Sequence, residues 1–141
     1  MNIEVACSVF PTENQYLVEK ALTNLFGGVS LQREQKETIT VLRTAADDRE
    51  GIIWLRDRIH DLRIIDVARK LLIENWDEEQ TYILFDKQAA SQGRVRIVDD
   101  SDQDPPLGCV HTTLRFDSVK EFEDFLSWFA PMTQDGRIIA D

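Results

Sequence analysis

The sequence predicts an α+β fold, a mostly antiparallel sheet with helices packed on one face and the other face left open. Two observations predict it. Segments alternating apolar and polar residues are interleaved with segments whose apolar residues recur at helical spacing, in the order β-α-β-(β)-α-α-β-β-β-α. The strands are thus split by helices, yet the last of them reads as a hairpin, which favours α+β over parallel winding. At 141 residues, 43% hydrophobic and 30% charged, the chain can bury a core of its own. Residues 1–141 are read as a single domain without repeat or linker.

Ile3, Val5, Cys7 and Val9 alternate with Glu4, Ala6 and Ser8, marking a half-buried first strand that Pro11 ends. Thr12 followed by Gln15 resembles a capping box. Leu17, Ala21, Leu22, Leu25 and Phe26 then share a helical face as far as the stop at Gly27-Gly28. Residues 30–44 read as extended, with a turn near Gln35-Lys36 that points Ile39 and Val41 at the core. Asp47 with Glu50 starts a second helical region. There Ile52, Leu55 and Ile59, then Leu62, Ile65, Ala68 and Leu72, trace two helices or one bent one, breaking near His60-Asp61. Residues 81–85 are a short apolar strand. Val95 and Ile97 alternate with Arg94 and Arg96. Val110, Thr112, Leu114 and Phe116 alternate with His111, Thr113 and Arg115. Ser118 with Glu121 opens a last helix that buries Phe122, Phe125, Leu126 and Phe129, and Pro131 closes it.

Several chemistries find no support in these residues. No stretch approaches the ~20 apolar residues of a membrane span, and the first strand leaves no room for a secretory signal, so a cytoplasmic location is expected. Cys7 and Cys109 lack CxxC spacing and read as free thiols, Cys7 packed as a small hydrophobe. His60 and His111 have no ligand spacing around them. The acidic run from Asp99 to Asp104 alternates carboxylates, but counted from Asp100 its sixth residue is Pro105 and its twelfth His111. A calcium loop needs Gly and a bidentate Glu there, so the run reads as a solvated loop. Nucleophile elbows, phosphate loops and dinucleotide turns are missing from the sequence. The expectation is a non-enzyme with no metal and no cofactor.

Charge is more informative. The net charge is −10, with Asp outnumbering Glu 15 to 11 and Arg outnumbering Lys 11 to 5. That bias is opposite to heat adaptation and suits solubility in a salty cytoplasm. It also opposes whole-surface attraction to nucleic acid, so any RNA contact needs a local patch. Residues 87–98 supply one: Lys87, Arg94 and Arg96 with no acidic residue. With Val95 and Ile97 inward, Arg94 and Arg96 emerge together, and Arg115 can join them across a hairpin. Arg63 and Arg69 belong to the second helical region, where Asp57, Asp61 and Asp66 are interleaved with basic residues. Two readings stay open, a phosphate-binding patch or arginines that are solvated or bridge acidic neighbours. An aromatic stacking platform of the RRM kind is not present.

Several peptides together resemble an uncharacterised archaeal family of predicted RNA-binding proteins, described as a predicted exosome subunit family. They are Val9-Phe10-Pro11-Thr12-Glu13, residues 62–69, Lys87-Gln88-Ala89-Ala90 with Gly93, Pro106-Leu107-Gly108, and residues 130–136. The matches run in order along almost the whole chain. The resemblance implies a curved antiparallel sheet with helices on one side, similar to the ribosomal protein that binds 5S RNA, and a role in RNA binding or processing. In the matched motif two readings stand side by side: Lys87, Arg94 and Arg96 contact phosphates while Gln88 offers both donor and acceptor groups, or Lys87-Gln88-Ala89-Ala90 is a structural connection whose side chains satisfy local backbone groups. Asp86 departs from the Asn expected before Lys87. The alternative is a protein-interaction adaptor in an RNA-processing assembly, using the open sheet face or an edge strand for partner or homodimer contacts.

Overall fold

The structure, a computed structural model, describes residues 1–99, 108–135 and 137–139. The acidic run 100–104, Pro106-Leu107 and Gly136 lie outside the described residues. The chain runs β1 (Asn2–Val9), α1 (Gln15–Phe26), β2 (Gln32–Lys36), β3 (Ile39–Ala46), a short 3-10 helix (Arg49–Ile52), α2 (Ile53–Asp61), α3 (Ile65–Glu74), β4 (Gln80–Asp86), α4 (Lys87–Ser91), β5 (Ile97–Val98), β6 (Cys109–Arg115), α5 (Val119–Phe129), β7 (Thr133–Gln134) and β8 (Arg137–Ile138). Six strands form one sheet in the order β2-β3-β1-β6-β4-β5, every neighbouring pair antiparallel. The α+β class with an antiparallel sheet is therefore as the patterning predicts.

Helices cover one face. Ile3, Val5, Cys7 and Val9 of β1 share a buried cluster with Leu42, Ile83, Phe85, Val110 and Leu114 of the other strands and with the inner faces of α1, α2, α3 and α5. At one end Trp76 stacks on Phe122 at 4.1 Å, and Phe116, Phe125 and Phe129 continue the aromatic packing. The two expected helices around residue 60 are separate, divided at Arg63, which sits at φ 58.

Several local expectations are corrected. The β2–β3 turn falls at residues 37–38, later than Gln35-Lys36. Pairing with β1 sets Leu42 opposite Cys7 and facing the core, so Val41 and Ile39 turn to the open face, because side-chain direction alternates residue by residue. Asn14, not Thr12, caps α1 by accepting the Tyr16 N–H, and Asp48 rather than Asp47 caps the 3-10 helix. Leu17 and Leu62, expected inside, are 46% and 48% exposed. Finally, β5 and β6 form no hairpin. The chain folds back after α4 so that β5 pairs with β4, and β4 separates β5 from β6.

Two substitutions test this packing. A methyl group on Gly51 would lie 2.2 Å from Ala46 Cβ, so Gly51→Ala should lower stability by about 1–3 kcal/mol. The Thr112 hydroxyl is buried beneath the helices with no hydrogen-bond partner among the described residues. Thr112→Val should therefore raise stability by about 1 kcal/mol. Urea unfolding midpoints at constant slope read both; no shift at Gly51, or a decrease at Thr112, would contradict the packing described.

Candidate nucleic-acid interface

The site is built where β1 ends. Phe10 and Glu13 close a turn in which the Glu13 N–H donates to the Phe10 carbonyl (2.9 Å) and the Phe10 N–H donates to Glu13 Oε1 (3.0 Å). That turn aims the Glu13 carboxylate inward. Lys87, the first residue of α4, meets it there. Its Nζ donates to Glu13 Oε1 and to the Ser8 carbonyl, each at 2.7 Å, and lies 5.0 Å from the centre of the Phe10 ring. The side chains are 2% and 8% exposed. Two peptides singled out from the sequence, 9–13 and 87–90, are thus halves of one buried contact. Lys87 is corrected from a surface phosphate contact to an interior anchor, since an ammonium so enclosed cannot reach a nucleic-acid backbone.

The anchor fixes α4 and the turn that leads from it into β5. Asp86 caps α4 by accepting the Ala89 N–H at 3.0 Å, and its other oxygen pairs with Arg96 Nη1 at 3.0 Å. Ala90 is fully buried against α1, where Asn24 Nδ2 donates to its carbonyl at 2.8 Å. Gly93 turns the chain at φ 81, a conformation glycine adopts without strain. From α2, Arg58 donates to the Gly93 carbonyl at 2.8 Å. Gln88, Gln92, Arg94 and Arg96 are left exposed along one border of the molecule, with Arg94 bonded to the Gln92 amide oxygen. Val95 and Ile97 pack against the core, as their alternation predicts.

The remaining arginines lie elsewhere. Arg115 and Asp86 occupy opposite ends of the β4–β6 ladder, six residues or about 20 Å apart. Arg115 therefore does not join Arg94 and Arg96, and bonds Gln80 instead (2.9 Å). Arg63 is exposed at the α2–α3 turn, beside Arg137 and Asp135 of the C-terminal hairpin. Arg69 donates to the Ala130 carbonyl at 3.0 Å, Arg56 to that of Trp128 at 2.9 Å, and His60 Nε2 lies 2.8 Å from that of Phe129. These three residues satisfy consecutive carbonyls at the end of α5, where the helix leaves acceptors unpaired and carries negative partial charge. Arg49 and Arg56 also flank the Trp128 ring, each 4.9 Å from its centre. Arg56 also pairs with Asp57 at 3.2 Å, as the interleaved charges predict; for Arg69 and His60 the sequence offered no signal that main-chain carbonyls take them.

Burial pushes the Cys7 thiol up to about 12, so it stays protonated at neutral pH. Among the described residues no three His, Cys, Asp or Glu side chains gather as metal ligands, and no helix is long and apolar enough to cross a membrane.

A family model described as RNA binding matches residues 2–116, which span β1 to the end of β6 and include all of α4. A UPF0201 protein of Pyrococcus horikoshii is 33% identical over 134 residues, covering 95% of this chain and 92% of that one. A UPF0201 protein of Methanosarcina acetivorans is 30% identical over 147 residues, covering 96% and 88%. The crystal structure of a UPF0201 protein from Methanococcus jannaschii superposes with a TM-score of 0.83 at 25% identity, over 99% of this chain and all of that one.

The anchor can be tested directly. Lys87→Met leaves the Glu13 carboxylate buried without its cation and should cost about 3–5 kcal/mol. Adding Glu13→Gln should recover part of that stability, since an amide oxygen still accepts the Phe10 N–H without a stranded charge. Urea unfolding of both chains measures it, and a Lys87→Met chain as stable as the parent would return Lys87 to the surface.

Proposed function

The chain belongs to the UPF0201 family of archaeal proteins, and we propose that it binds RNA along the border formed by α4 and the strand after it. The observation that carries this reading is the placement of Gln88, Arg94 and Arg96. All three are exposed, close in sequence, and held on or beside a short helix that the Lys87–Glu13 pair fixes to the fold. The family match, which covers this segment, supports it. Arginine on a fixed support suits phosphate, because its planar fork donates two hydrogen bonds with little entropy to lose. Arg96 is 49% exposed and pairs with Asp86 at 3.0 Å, which fixes its guanidinium at this border. Such contacts set position and orientation without reading sequence. Arg63, Arg69 and Arg115 fall outside this surface, and binding proceeds without catalysis. A place beside the exosome, and the likeness to the 5S-RNA-binding ribosomal protein, belong to the same proposal.

One observation favours a protein-contact role as well. Ile39, Val41, Tyr82 and Leu84 lie on the sheet face opposite the helices by their register, which suits an adaptor or a homodimer.

The salt dependence of binding separates these. With short RNAs, log K should fall linearly with log salt, and Arg94→Ala with Arg96→Ala should flatten the slope by roughly 0.7–0.9 for each phosphate no longer neutralised. Arg115→Ala should leave the slope unchanged. An unaltered slope in the double variant would reject the surface, and failure to bind any RNA would leave the adaptor role.

A further inference from the structure

Between the turn before α1 and the outer side of α4 lies a cleft of about 420 Å³, lined by Thr12, Asn14, Leu17, Gln88, Ser91 and Gln92. Its size falls within the roughly 300–1,000 Å³ of small-molecule sites. At its base Lys87 and Glu13 neutralise each other at 2.7 Å. The groups still facing the cleft are neutral donors and acceptors. Asn14 spends its Oδ1 on the Tyr16 N–H and keeps its amino group to donate. Ser91 Oγ donates to the Gln88 carbonyl at 2.8 Å and keeps lone pairs to accept. The Gln88 amide, exposed on α4, can do both. Leu17, 46% exposed, adds an apolar wall beside them. Arg94 donates to the side chain of Gln92, which lines the cleft.

A phosphate would need an unpaired cation inside this cleft, and a metal ion would need free carboxylate or imidazole ligands. A flat heterocycle with donors and acceptors along its edge and an apolar face fits the lining better. Resting on the RNA-binding reading above, we propose that this cleft holds one unstacked nucleobase of single-stranded RNA, with the adjoining phosphate on Arg94. Gln88, Asn14 and Thr12 bond the edge of the base, and Leu17 covers part of its face. Bases in a duplex are stacked and their pairing edges are occupied, so recognition of this kind selects single strands, loops and ends. The selectivity comes from these neutral side chains, whereas the charge-driven part of affinity comes from the arginines.

Fluorescence anisotropy with a labelled single-stranded RNA of mixed sequence, and with the duplex made from it, tests this across a salt series. Gln88→Ala should weaken single-strand binding about two- to tenfold, the worth of one or two neutral hydrogen bonds. It should do so with the salt slope unchanged, because every phosphate partner is still present, and with a smaller loss for the duplex than for the single strand. Thr12→Val, which keeps the shape of the side chain, should act in the same direction. Thermal unfolding of each variant shows that the fold is kept. RNA binding that persists with Gln88→Ala and Thr12→Val both silent, or weakened equally for single strand and duplex, would overturn the base pocket while leaving the RNA-binding surface in place. No binding of either RNA by the parent chain would overturn both.

Discussion

The Lys87–Glu13 pair is the constraint on which the candidate surface depends. Lys87 is the one fully buried charged side chain among the described residues, and burying a charge is costly unless a partner and further hydrogen bonds compensate it. Here the carboxylate, the Ser8 carbonyl and the face of Phe10 all compensate. That requirement dictates geometry on both sides. Glu13 must fold back into its turn, which passes the capping of α1 to Asn14. Lys87 must begin a helix immediately after β4, which makes Asp86 its cap and turns the chain at Gly93 into β5. One interaction between residues 74 apart thus sets the end of the first strand, the start of the first helix and the edge of the sheet.

A chain of net charge −10 has few cations to give away, and the helical region uses its own internally. Arg56, His60 and Arg69 terminate α5 through its carbonyls, and Arg58 ties the end of α1 to the turn after α4. Arg56 also pairs with Asp57, and all of these side chains are held against the fold by the carbonyls they bond. Arg94 and Arg96 differ because they come after a short helix at a sheet edge and stay exposed there. The border around α4 is therefore distinguished by exposure and rigidity more than by charge, and this is why neutral groups such as Gln88 share in the recognition proposed.

Much of the fold was legible in the residues. The alternation in β1 and β6, the apolar faces of α1 and α5 and the Ser118 cap are local patterns, and local patterns survive folding. The facing of β3 was not legible, since a slip of one residue in register exchanges the two faces of a strand, and pairing with β1 decides the outcome. Pairing of β5 with β4 was hidden for a similar reason, since strand order is set by long-range contacts that periodicity does not carry. At the site, the peptides 9–13 and 87–90 could each be singled out, but not their meeting. Lys87 looked like a surface cation because residues 87–98 hold it with Arg94 and Arg96 and no carboxylate; its partner lies 74 residues away. The carbonyl partners of Arg56, Arg58 and Arg69 leave no mark in sequence at all, because every residue carries the same acceptor.

Backbone amide hydrogen exchange with and without a short single-stranded RNA puts the α4 border to the sharpest test, because it reports every segment at once. Slower exchange is expected in two places, residues 12–17 and 88–96, with the α2–α3 turn at Arg63 and the end of β6 at Arg115 unchanged. Protection confined to Arg63 or Arg115, or spread over the open face of the sheet with α4 unaffected, would contradict a binding surface built on the Lys87–Glu13 anchor.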